Sequence, residues 1–466
     1  MSKAGIHLSF SGGTLVVQGL RPGDLEDIPE NILAADDRIG GAYRAKACDY
    51  AALVTALRQA GKQIEDTAKA FAPVKLVLKS PFPPRDYQLK ALDDWKFAGY
   101  RGVISLPTGS GKSFVGALAC AKIGRPALII APTIDLMLQW AGTLEKFFGE
   151  PAGLLGGGYH EIRNITAATY DSAALHMERL GNRFGLLICD ECHHLPGPRY
   201  RVAAEEAIAP FRLGLSATPD MEGDNGVILK RLMGNLCSEM KIKELTGRVL
   251  SGYRIEHVPL ALSPEEQEEY HSARSIYTGF VKRRHIDFRL ADGWKKFITA
   301  CATTGREGRE AFSAFIRQRE LSRGGEGKYA AIWELISKHI NERIIIFTAA
   351  NAQAYEIGER FSLPVLTHRT GSRERRNMLD HFRSGVFPVL VSSRVLNEGV
   401  DVPEANIGIV VSGTSTGREY LQRLGRILRA APGKQQAVLY ELINGDTAEF
   451  FVAKRRAANT HKALRG

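Results

Sequence analysis

The sequence predicts an α/β protein with two parallel-sheet domains in tandem, a small α+β module before them, and a helical insertion in the second domain. Short, continuous apolar runs followed by amphipathic helical spacing predict both sheets, because strands of a parallel sheet are buried on both faces. The first series of runs pauses near residue 240, and a second series begins at "RIIIFTA" (343–349). A charge-rich stretch with helical spacing lies between them, at about 263–325.

The small module comes first. In it, "IHLSFSGGTLVVQGL" alternates apolar and polar residues around Gly12 and Gly13, which is typical of a β-hairpin. The segment "YAALVTALRQAG" then has the spacing of a helix that ends at Gly61. Three prolines in "SPFPPRDYQ" predict a linker to the next domain. The predicted domain limits are 1–78, 79–240 and 241–466.

Each sheet domain is predicted from four apolar runs. In the first domain these are "GVISLP", "PALIIAP", "GLLICDE" and "FRLGLSA". Helical spacing in "SFVGALACAKIG" and "DLMLQWAGTLEKFF" follows the first two runs. In the second domain the runs are "RIIIFTA", "LPVLTH", "FPVLVSS" and "IGIVVSG".

Composition narrows the class of protein. The 466 residues include 62 Lys and Arg against 51 Asp and Glu, and the net charge of +11 favours a polyanionic partner. No apolar run is long enough to span a bilayer, and the first residues lack the apolar core of a secretory signal, so no membrane association is expected. Six scattered cysteines do not form the pattern of a disulfide framework. A cytoplasmic protein is therefore expected.

The segment "SLPTGSGKS" (105–113) lies where a strand turns into a helix, and it is typical of a phosphate-binding loop. Glycines let backbone N–H groups approach phosphate oxygens, Lys112 would reach the β- and γ-phosphates, and Ser113 would offer a hydroxyl to Mg²⁺. The general pattern has glycine where this chain has Leu106. The alternative is a glycine-rich turn with a chance Lys-Ser pair. The predicted nucleotide-binding residues of this loop are Thr108, Gly109, Ser110, Gly111, Lys112 and Ser113.

The segment "LLICDECHHL" (186–195) places six potential metal ligands in a row. A zinc site is disfavoured because no second cysteine pair or spaced histidine pair completes four ligands, and a redox motif would not carry two acids between its cysteines. A carboxylate at the tip of a strand beside the phosphate loop can instead hold Mg²⁺ through water, which is the role predicted for Asp190. Glu191 would then orient and deprotonate the attacking water. Cys189 and Cys192 are interpreted as packing residues.

With "SAT" (216–218) following them, these motifs resemble the ATPase motifs of superfamily 2 helicases. "VLVSSRVLNEGVDVP" (389–403) and "QRLGRILR" (422–429) resemble their fifth and sixth motifs. The resemblance implies two RecA-like domains with ATP between them and Arg426 and Arg429 as arginine fingers. It places Gln422 beside the fingers, and Gly399 and Asp401 at the nucleotide, with Asp401 near the ribose. The alternative for either arginine is a surface ion pair.

Further motifs resemble the XPB (Rad25-like) branch of this superfamily. "PRDYQ" (84–88) matches its adenine-recognition motif, which implies nucleotide contacts from Arg85 and Gln88, with Gln88 at the adenine edge. The N-terminal module resembles the damage-recognition domain of that branch, and residues 263–325 resemble its thumb. One motif departs, because Met221, Glu222 and Gly223 replace the Arg-Glu-Asp that the branch carries. That change puts strand separation in doubt.

The resemblance also implies which residues face the nucleic-acid backbone. These are Pro132, Thr133, Thr169, Tyr170, Ser393 and Arg394. Basic residues of the thumb and the C-terminal segment 453–466 are further candidates, with a solvated charged face as the alternative. The thumb candidates are Lys282, Arg283 and Arg284.

Aromatic and histidine residues have alternative interpretations as well. Tyr270, Tyr277 and Phe280 have a spacing more typical of a buried helix seam than of a base-stacking surface. His193 is expected to couple the ATP site to Ser216 and Thr218, and its alternative is a packed, hydrogen-bonded histidine.

The function that the resemblance implies is an ATP- and Mg²⁺-dependent 3′–5′ type DNA helicase or duplex translocase. It would act on forked or duplex DNA in repair, be associated with the nucleoid, and work with a separate nuclease. The alternatives are an RNA-remodelling ATPase and a non-catalytic DNA-binding scaffold for a nuclease. Intact Lys112, Asp190, Glu191, Arg426 and Arg429 speak against the scaffold.

Overall fold

The computed structural model describes most of the chain. The described residues are 5–29, 31–36, 39–80, 82–241, 244, 252–290, 292–393, 405–412 and 436–453. They form two compact units, of which the first ends at Glu244.

The N-terminal module is a five-stranded sheet with one helix. Its strands are β1 (Ile6–Ser11), β2 (Thr14–Gln18), β3 (Leu33–Ala35), β4 (Ala42–Lys46) and β5 (Ile64–Asp66), and its helix is α1 (Tyr50–Gln59). The sheet order is β3-β4-β2-β1-β5. The predicted hairpin is confirmed: Ser11 pairs with Thr14, and Gly12 and Gly13 between them have φ of +58° and +70°, as a tight two-residue turn requires.

The residues that lead into the three prolines pack onto the first sheet domain, so this part of the chain is not a free linker. The Val74 N–H donates to the Gly124 carbonyl at 2.9 Å, and the Lys79 N–H donates to the Phe147 carbonyl at 2.6 Å. The Phe82 ring then lies edge-on to Phe147, with their centroids 5.9 Å apart.

The first sheet domain has eight strands in the order β13-β6-β12-β11-β7-β10-β8-β9. Every pairing is parallel except that of β8 with β9. The strands are β6 (Arg101–Ser105), β7 (Ala127–Ala131), β8 (Gly153–Gly156), β9 (Tyr159–Glu161), β10 (Ile165–Thr169), β11 (Leu186–Asp190), β12 (Phe211–Ser216) and β13 (Leu236–Glu239). The helices are α2 (Asp86–Phe97), α3 (Lys112–Ile123), α4 (Ile134–Phe148), α5 (Tyr170–Leu180), α6 (Val202–Glu205) and α7 (Gly223–Met233).

Two apolar clusters cover the two faces of this sheet. One contains Phe114 and Trp140 from α3 and α4, and the other contains Met177 and Leu229 from α5 and α7. Helices on both faces of a mostly parallel sheet confirm the predicted fold class for this domain.

The second unit contains a six-stranded parallel sheet in the order β14-β19-β18-β15-β17-β16. Its strands are β14 (Gly252–Leu260), β15 (Ile344–Phe347), β16 (Val365–Leu366), β17 (Val389–Ser392), β18 (Ile407–Val410) and β19 (Gln436–Asn444). Helices α11 (Glu326–Lys338), α12 (Asn351–Phe361) and α13 (Ser372–Ser384) belong to the same unit.

The predicted thumb is a group of three helices between β14 and α11. They are α8 (Pro264–Arg283), α9 (Gly293–Thr303) and α10 (Gly305–Arg323). Ser263 caps α8 through a capping box with Glu266, and Pro264 follows at the first helical position. Tyr270 and Phe280 of α8 are buried, as the seam interpretation predicts.

Candidate active site on the first sheet domain

The phosphate loop, residues 106–111, joins β6 to α3 and has a left-handed backbone at two glycines. Gly109 and Gly111 have φ of +84° and +83°, a conformation that side chains disfavour. A Cβ on Gly111 would lie 2.8 Å from the Gln88 Nε2. The Ser110 hydroxyl donates to the Pro107 carbonyl at 2.7 Å and closes the turn. The loop is therefore shaped before any ligand binds, and it leads into the N-terminus of a helix.

Leu106 explains the departure from the general phosphate-loop pattern. Its side chain is buried in the core of the domain, and its N–H donates to the Ser216 carbonyl at 3.0 Å. The residue thus extends the sheet by one hydrogen bond before the loop begins. A leucine is the better residue here because it adds to the apolar core.

Three neighbouring parallel strands end at one edge of the sheet and bring the predicted residues together. Ser216 pairs with Ser105, and Asp190 pairs with Leu215, so β6, β12 and β11 have a common carboxyl edge. Lys112, the first residue of α3, extends to this edge. Its Nζ lies 3.5 Å from the Glu191 Oε1 and 3.4 Å from the Leu106 carbonyl oxygen.

Asp190 is almost completely buried at the tip of β11 and held by three contacts. The Trp140 Nε1 donates to its Oδ2 at 2.8 Å, and the N–H of Glu191 donates to its Oδ1 at 3.0 Å. The Tyr170 hydroxyl donates to its backbone carbonyl at 3.0 Å. These contacts orient the carboxylate before a ligand arrives.

The electrostatics of Asp190 reflect its burial. Loss of solvation raises the pKa of its carboxyl to about 6, the Glu191 carboxylate adds to the rise, and Lys112 opposes it. The ionised form of Asp190 is therefore unfavourable in free energy, and a cation bound at this edge of the sheet would stabilise it. The Asp190 carboxylate and Ser113 hydroxyl are the hard oxygen donors that suit Mg²⁺.

Glu191, His193 and Ser216 form a polar chain from the carboxylates to β12. Glu191 has φ of +45°, which directs the chain out of the strand. The His193 Nδ1 lies 3.0 Å from the Ser216 hydroxyl and 3.5 Å from the Glu191 Oε2. The N–H of Thr218 donates to the same Ser216 hydroxyl at 3.2 Å. The structure thus places the three predicted coupling residues in one hydrogen-bonded group.

The cysteines beside the carboxylates are packing residues, as predicted. Cys189 and Cys192 are both buried in the apolar cluster that covers one face of the sheet. Burial raises the pKa of the Cys189 thiol to about 12, so the thiolate that zinc or disulfide exchange requires is disfavoured. Within the described part of the chain, no group of three or more potential ligands is arranged to hold a metal ion by itself.

The predicted adenine motif contacts the phosphate loop through hydrogen bonds to the Ser110 carbonyl. The Gln88 Oε1 accepts from the Arg85 N–H at 3.0 Å, and its Nε2 donates to the Ser110 carbonyl at 3.3 Å. Gln88 is buried, and its amide joins the start of α2 to the loop, since its Oε1 caps the helix and its Nε2 holds Ser110. Tyr87, which the sequence did not single out, donates its hydroxyl to the same carbonyl. Its position one residue before Gln88 is the only sequence signal for it.

Trp140 is the second residue that the sequence did not identify. It is fifty residues from Asp190 along the chain, and its spacing on α4 is that of an ordinary core residue. An added Cβ on Gly116 of α3 would lie 2.6 Å from its ring, so the indole also sets how closely α3 approaches. No local pattern could have shown either contact.

Two of the four backbone-facing residues predicted in the first domain cap helices. Thr133 caps α4 by accepting from the Leu136 N–H at 3.2 Å, and Pro132 precedes it. Thr169 caps α5 in the same way by accepting from Ser172. The side chain of Tyr170 is fully buried and donates its hydroxyl to the Asp190 carbonyl, so only its backbone could face nucleic acid. Its aromatic ring is part of the apolar cluster that covers one face of the sheet.

In the second unit, Ser393 follows β17 and is buried, and its hydroxyl has no hydrogen-bond partner among the described residues. On the thumb, Arg283 and Arg284 both contact Glu307, each with a shortest N–O distance of 2.9 Å, while Lys282 is exposed. Part of this basic cluster is therefore neutralised. Other predicted site residues lie outside the described part of the chain: Arg394, Gly399, Asp401, Gln422, Arg426, Arg429 and the basic segment from 454 onward.

Three family models match the chain. The model for the damage-recognition domain of the xeroderma pigmentosum group B helicase matches residues 8–68. The model for the res subunit of type III restriction enzymes matches 81–221, and that for the conserved C-terminal helicase domain matches 327–431.

Two solved structures share the fold. The helicase domain of Pyrococcus furiosus Hef aligns with 81% of this chain and 98% of its own, with a TM-score of 0.53 and 20% identity. Saccharomyces cerevisiae Dbp5, solved with RNA and ADP BeF3, aligns with 82% of this chain and 88% of its own, with a TM-score of 0.54 and 16% identity. These similarities confirm the tandem RecA-like fold.

Among the residues described, no helix is both long and apolar enough to cross a membrane.

Sequence relatives are more specific. The DNA 3′-5′ translocase XPB2 of Sulfurisphaera tokodaii is 35% identical over 89% of this chain and 93% of its own. The DNA 3′-5′ helicase XPB of Mycobacterium tuberculosis is 30% identical over 80% of this chain, which spans 62% of that protein. An XPB2 subunit of the general transcription and DNA repair factor IIH of Arabidopsis thaliana is 26% identical, and this chain spans 49% of it. The chain belongs to the XPB family of DNA helicases and translocases.

Proposed function

We propose that this chain is an ATP-driven DNA helicase and duplex translocase of the 3′–5′ type that acts in DNA repair. The observation that carries the proposal is the meeting of Lys112, Asp190, Glu191 and Ser216 at one sheet edge, in a member of this family. The relatives are named for 3′-5′ movement on DNA, and the excess of basic residues suits a DNA partner.

The loop would bind the phosphates of ATP, and the carboxylates would bind the metal ion and activate the attacking water. Backbone N–H groups of the loop and the start of α3 bind phosphate oxygens, and Lys112 leaves Glu191 to neutralise the β- and γ-phosphates. Ser113 and Asp190 would hold Mg²⁺, which would supply positive charge to offset the charge of the phosphates. Glu191, released from Lys112, accepts a proton from the water that attacks the γ-phosphate.

The polar chain of Glu191, His193 and Ser216 transmits the state of the nucleotide. When Lys112 turns toward phosphate, the Glu191 carboxylate loses one of its contacts, and its hydrogen bonds with His193 and Ser216 shift. Ser216 begins the segment that reaches Thr218, whose hydroxyl is buried and has no hydrogen-bond partner among the described residues. Movement of this segment is the proposed first step from hydrolysis to motion.

The remaining roles rest on the resemblance to the family. Gln422, Arg426 and Arg429 would come from the second sheet domain to stabilise the transition-state charge, with Gly399 and Asp401 at the nucleotide. The domain limits 1–78, 79–240 and 241–466, a separate nuclease partner and a nucleoid location are proposed on the same basis.

Strand opening by the chain alone is proposed to be weak. At the position of the family's Arg-Glu-Asp motif, Met221 packs against an apolar cluster of the first domain. An added Cβ on Gly226 of α7 would lie 2.3 Å from the Met221 backbone, so the helix packs tightly onto this segment. An apolar side chain held in this way cannot contribute the positive charge that an arginine would bring to DNA.

ATPase assays test the proposal. Wild type and Lys112→Ala are compared without nucleic acid, with duplex DNA, with forked DNA and with duplex RNA. We expect DNA to stimulate the wild type and Lys112→Ala to be inactive throughout. Stronger stimulation by RNA than by DNA would support the RNA-remodelling alternative, and a wild type as inactive as the variant would support the scaffold.

A further inference from the structure

The thumb has an exposed aromatic surface that the ATP cycle does not use. Trp294 at the start of α9 is 48% exposed, Phe288 before it is 42% exposed, and Phe312 on α10 is 37% exposed. With the partly buried Phe315, these rings form what we call the aromatic platform. Large aromatic side chains exposed side by side mark a binding surface more often than isolated ones do.

The rings of the platform are continuous and supported from below. The centroid of Trp294 lies 6.5 Å from that of Phe288 and 5.3 Å from that of Phe315, and Phe312 lies 6.5 Å from Phe315 in a stacked arrangement. Phe297, which is fully buried, contacts Trp294 and Phe315 at 5.5 Å each. The rings are thereby fixed in place, so little conformational entropy is lost when a flat ligand stacks on them.

The charge around the platform favours a polyanion. The thumb, residues 263–325, contains twelve Lys and Arg against nine Asp and Glu, and four of those acids lie in its first seven residues. The Arg319 guanidinium lies 5.2 Å from the centre of the Phe315 ring. Lys295 and Arg309 are exposed near Trp294 and Phe312 in the sequence and form no ion pair within the described part of the chain.

We propose that the aromatic platform stacks on unpaired bases of a single DNA strand. Every base has an aromatic face, so stacking serves a protein that must act on any sequence, and the surrounding cations meet the phosphates. This proposal rests on the proposed function, since a protein that acts on forked DNA meets unpaired bases in the arms of the fork. It is distinct from the predicted phosphate contacts of Lys282 to Arg284, because the platform contacts bases.

The test measures affinity for a thymine oligonucleotide and for an abasic oligonucleotide of equal length, at fixed salt and with the full chain. Trp294→Ala is expected to weaken binding of the thymine strand by about five- to a hundredfold. Trp294→Phe keeps a ring and is expected to keep most of the affinity. Binding of the abasic strand, which has phosphates but no bases, is expected to change less than about twofold.

Trp333 provides the matched control, because it is 59% exposed and also stacks on a phenylalanine, Phe361, but lies on α11 outside the thumb. Trp333→Ala is expected to bind both strands like the wild type. In Trp333→Phe the thymine strand should quench the fluorescence of Trp294, since Trp95 and Trp140 are buried; this readout requires no destabilising change at the platform.

Equal affinity of Trp294→Ala and wild type for the thymine strand, with no quenching, would overturn the proposal and indicate a protein partner for the platform. Equal losses on the thymine and abasic strands would also overturn it. The ATPase of the wild type and Lys112→Ala is measured with the platform residues unchanged, so a failure of the proposed function is detected separately.

Discussion

At the residue scale, Trp140 and Asp190 show how one buried hydrogen bond can orient a catalytic carboxylate. The indole N–H is directed at Oδ2 at 2.8 Å, and both side chains are buried, so neither can turn without leaving a polar atom unpaired. Trp140 also packs against Gly116 of the helix that begins with Lys112. We therefore interpret Trp140 as a positioning residue for the carboxylate and the phosphate loop.

Trp140→Phe tests this role. The variant keeps an aromatic ring against Gly116 but removes the donor to Asp190, so kcat of the ATPase should fall about tenfold or more, the effect of losing a hydrogen bond to a charged group. Trp95→Phe is the matched control, because Trp95 is also buried and donates its indole N–H, to the Arg212 carbonyl at 2.9 Å, away from the site. Similar losses of kcat in both variants would contradict the positioning role.

Asp190→Asn should separate stability from activity. Burial raises the pKa of the Asp190 carboxyl to about 6, so its charged form destabilises the nucleotide-free protein above that pH. The amide removes the cost of the buried charge but sets its NH2 group against one of the two N–H donors, so the free energy of unfolding at pH 8 should change by no more than roughly 1–3 kcal/mol, while ATP hydrolysis should be abolished. Chemical denaturation without nucleotide measures the first effect.

The pH dependence of that difference has a definite sign. Because the folded-state pKa lies above the unfolded value of 3.8, the wild type gains protons on folding between about pH 4 and 6. Its stability relative to Asp190→Asn should therefore rise as the pH falls through about 6. A difference that stays constant from pH 8 to pH 5 would contradict the assigned cause.

Ser216→Ala is predicted to uncouple hydrolysis from movement. The Ser216 hydroxyl is the atom at which Glu191, His193 and the Thr218 N–H meet. Its loss should leave at least about a third of basal ATP hydrolysis while reducing displacement of a third strand from duplex DNA about tenfold. Ser238→Ala, which removes a hydroxyl of the same sheet that donates to Asp94, should change neither quantity.

At the scale of elements, the phosphate loop depends on the left-handed backbone of Gly111. Gly111→Ala should raise KM for ATP at least about tenfold, because the added Cβ is strained at this φ and meets the Gln88 amide. Gly124 ends the same helix with φ of +58°, so Gly124→Ala bears a similar backbone strain without a ligand nearby. Thermal unfolding should show both variants destabilised, and an unchanged KM for Gly111→Ala would contradict the role of the loop.

The strands of the first domain that could be predicted are runs rich in large apolar residues, whereas the buried β10, "ITAAT", has smaller and more polar residues and was missed. β6, β7, β11 and β12 are continuous apolar runs because helices cover both faces of their sheet. β8 and β9 were missed, since "GLLG" and "YHE" are short and lie at the sheet edge. β14 and β19 were missed because they carry charges, and Glu441 on β19 is buried against His257 of β14 at 3.0 Å.

The residues of the candidate site can likewise be separated into those that the sequence predicts and those that only the structure reveals. The sequence predicts Lys112, Asp190 and Ser216 because each lies at or after the carboxyl end of a strand of one sheet, and parallel strands end at a common edge. Trp140 and the burial of Tyr170 depend on tertiary packing, which no local spacing records. Leu106 departed from a pattern for a reason visible only when its N–H is seen to pair with β12.

At the scale of the whole molecule, the N-terminal module and the first sheet domain form one compact unit. Ile208, which follows α6, belongs to the apolar core of the module, and the Ala70 N–H donates to the Asn182 carbonyl at 2.9 Å. The sequence predicted separate domains joined by a linker. We expect the module to move with the first domain during the ATP cycle.

The central claim is that hydrolysis at the edge formed by Lys112, Asp190 and Glu191 drives movement along duplex DNA. Displacement of a third strand from a triplex measures this movement without requiring strand separation. With Glu191→Gln as the hydrolysis-deficient control, the account predicts ATP-dependent displacement by the wild type and none by the variant. A wild type that hydrolyses ATP in the presence of duplex DNA but leaves the third strand in place would contradict the claim.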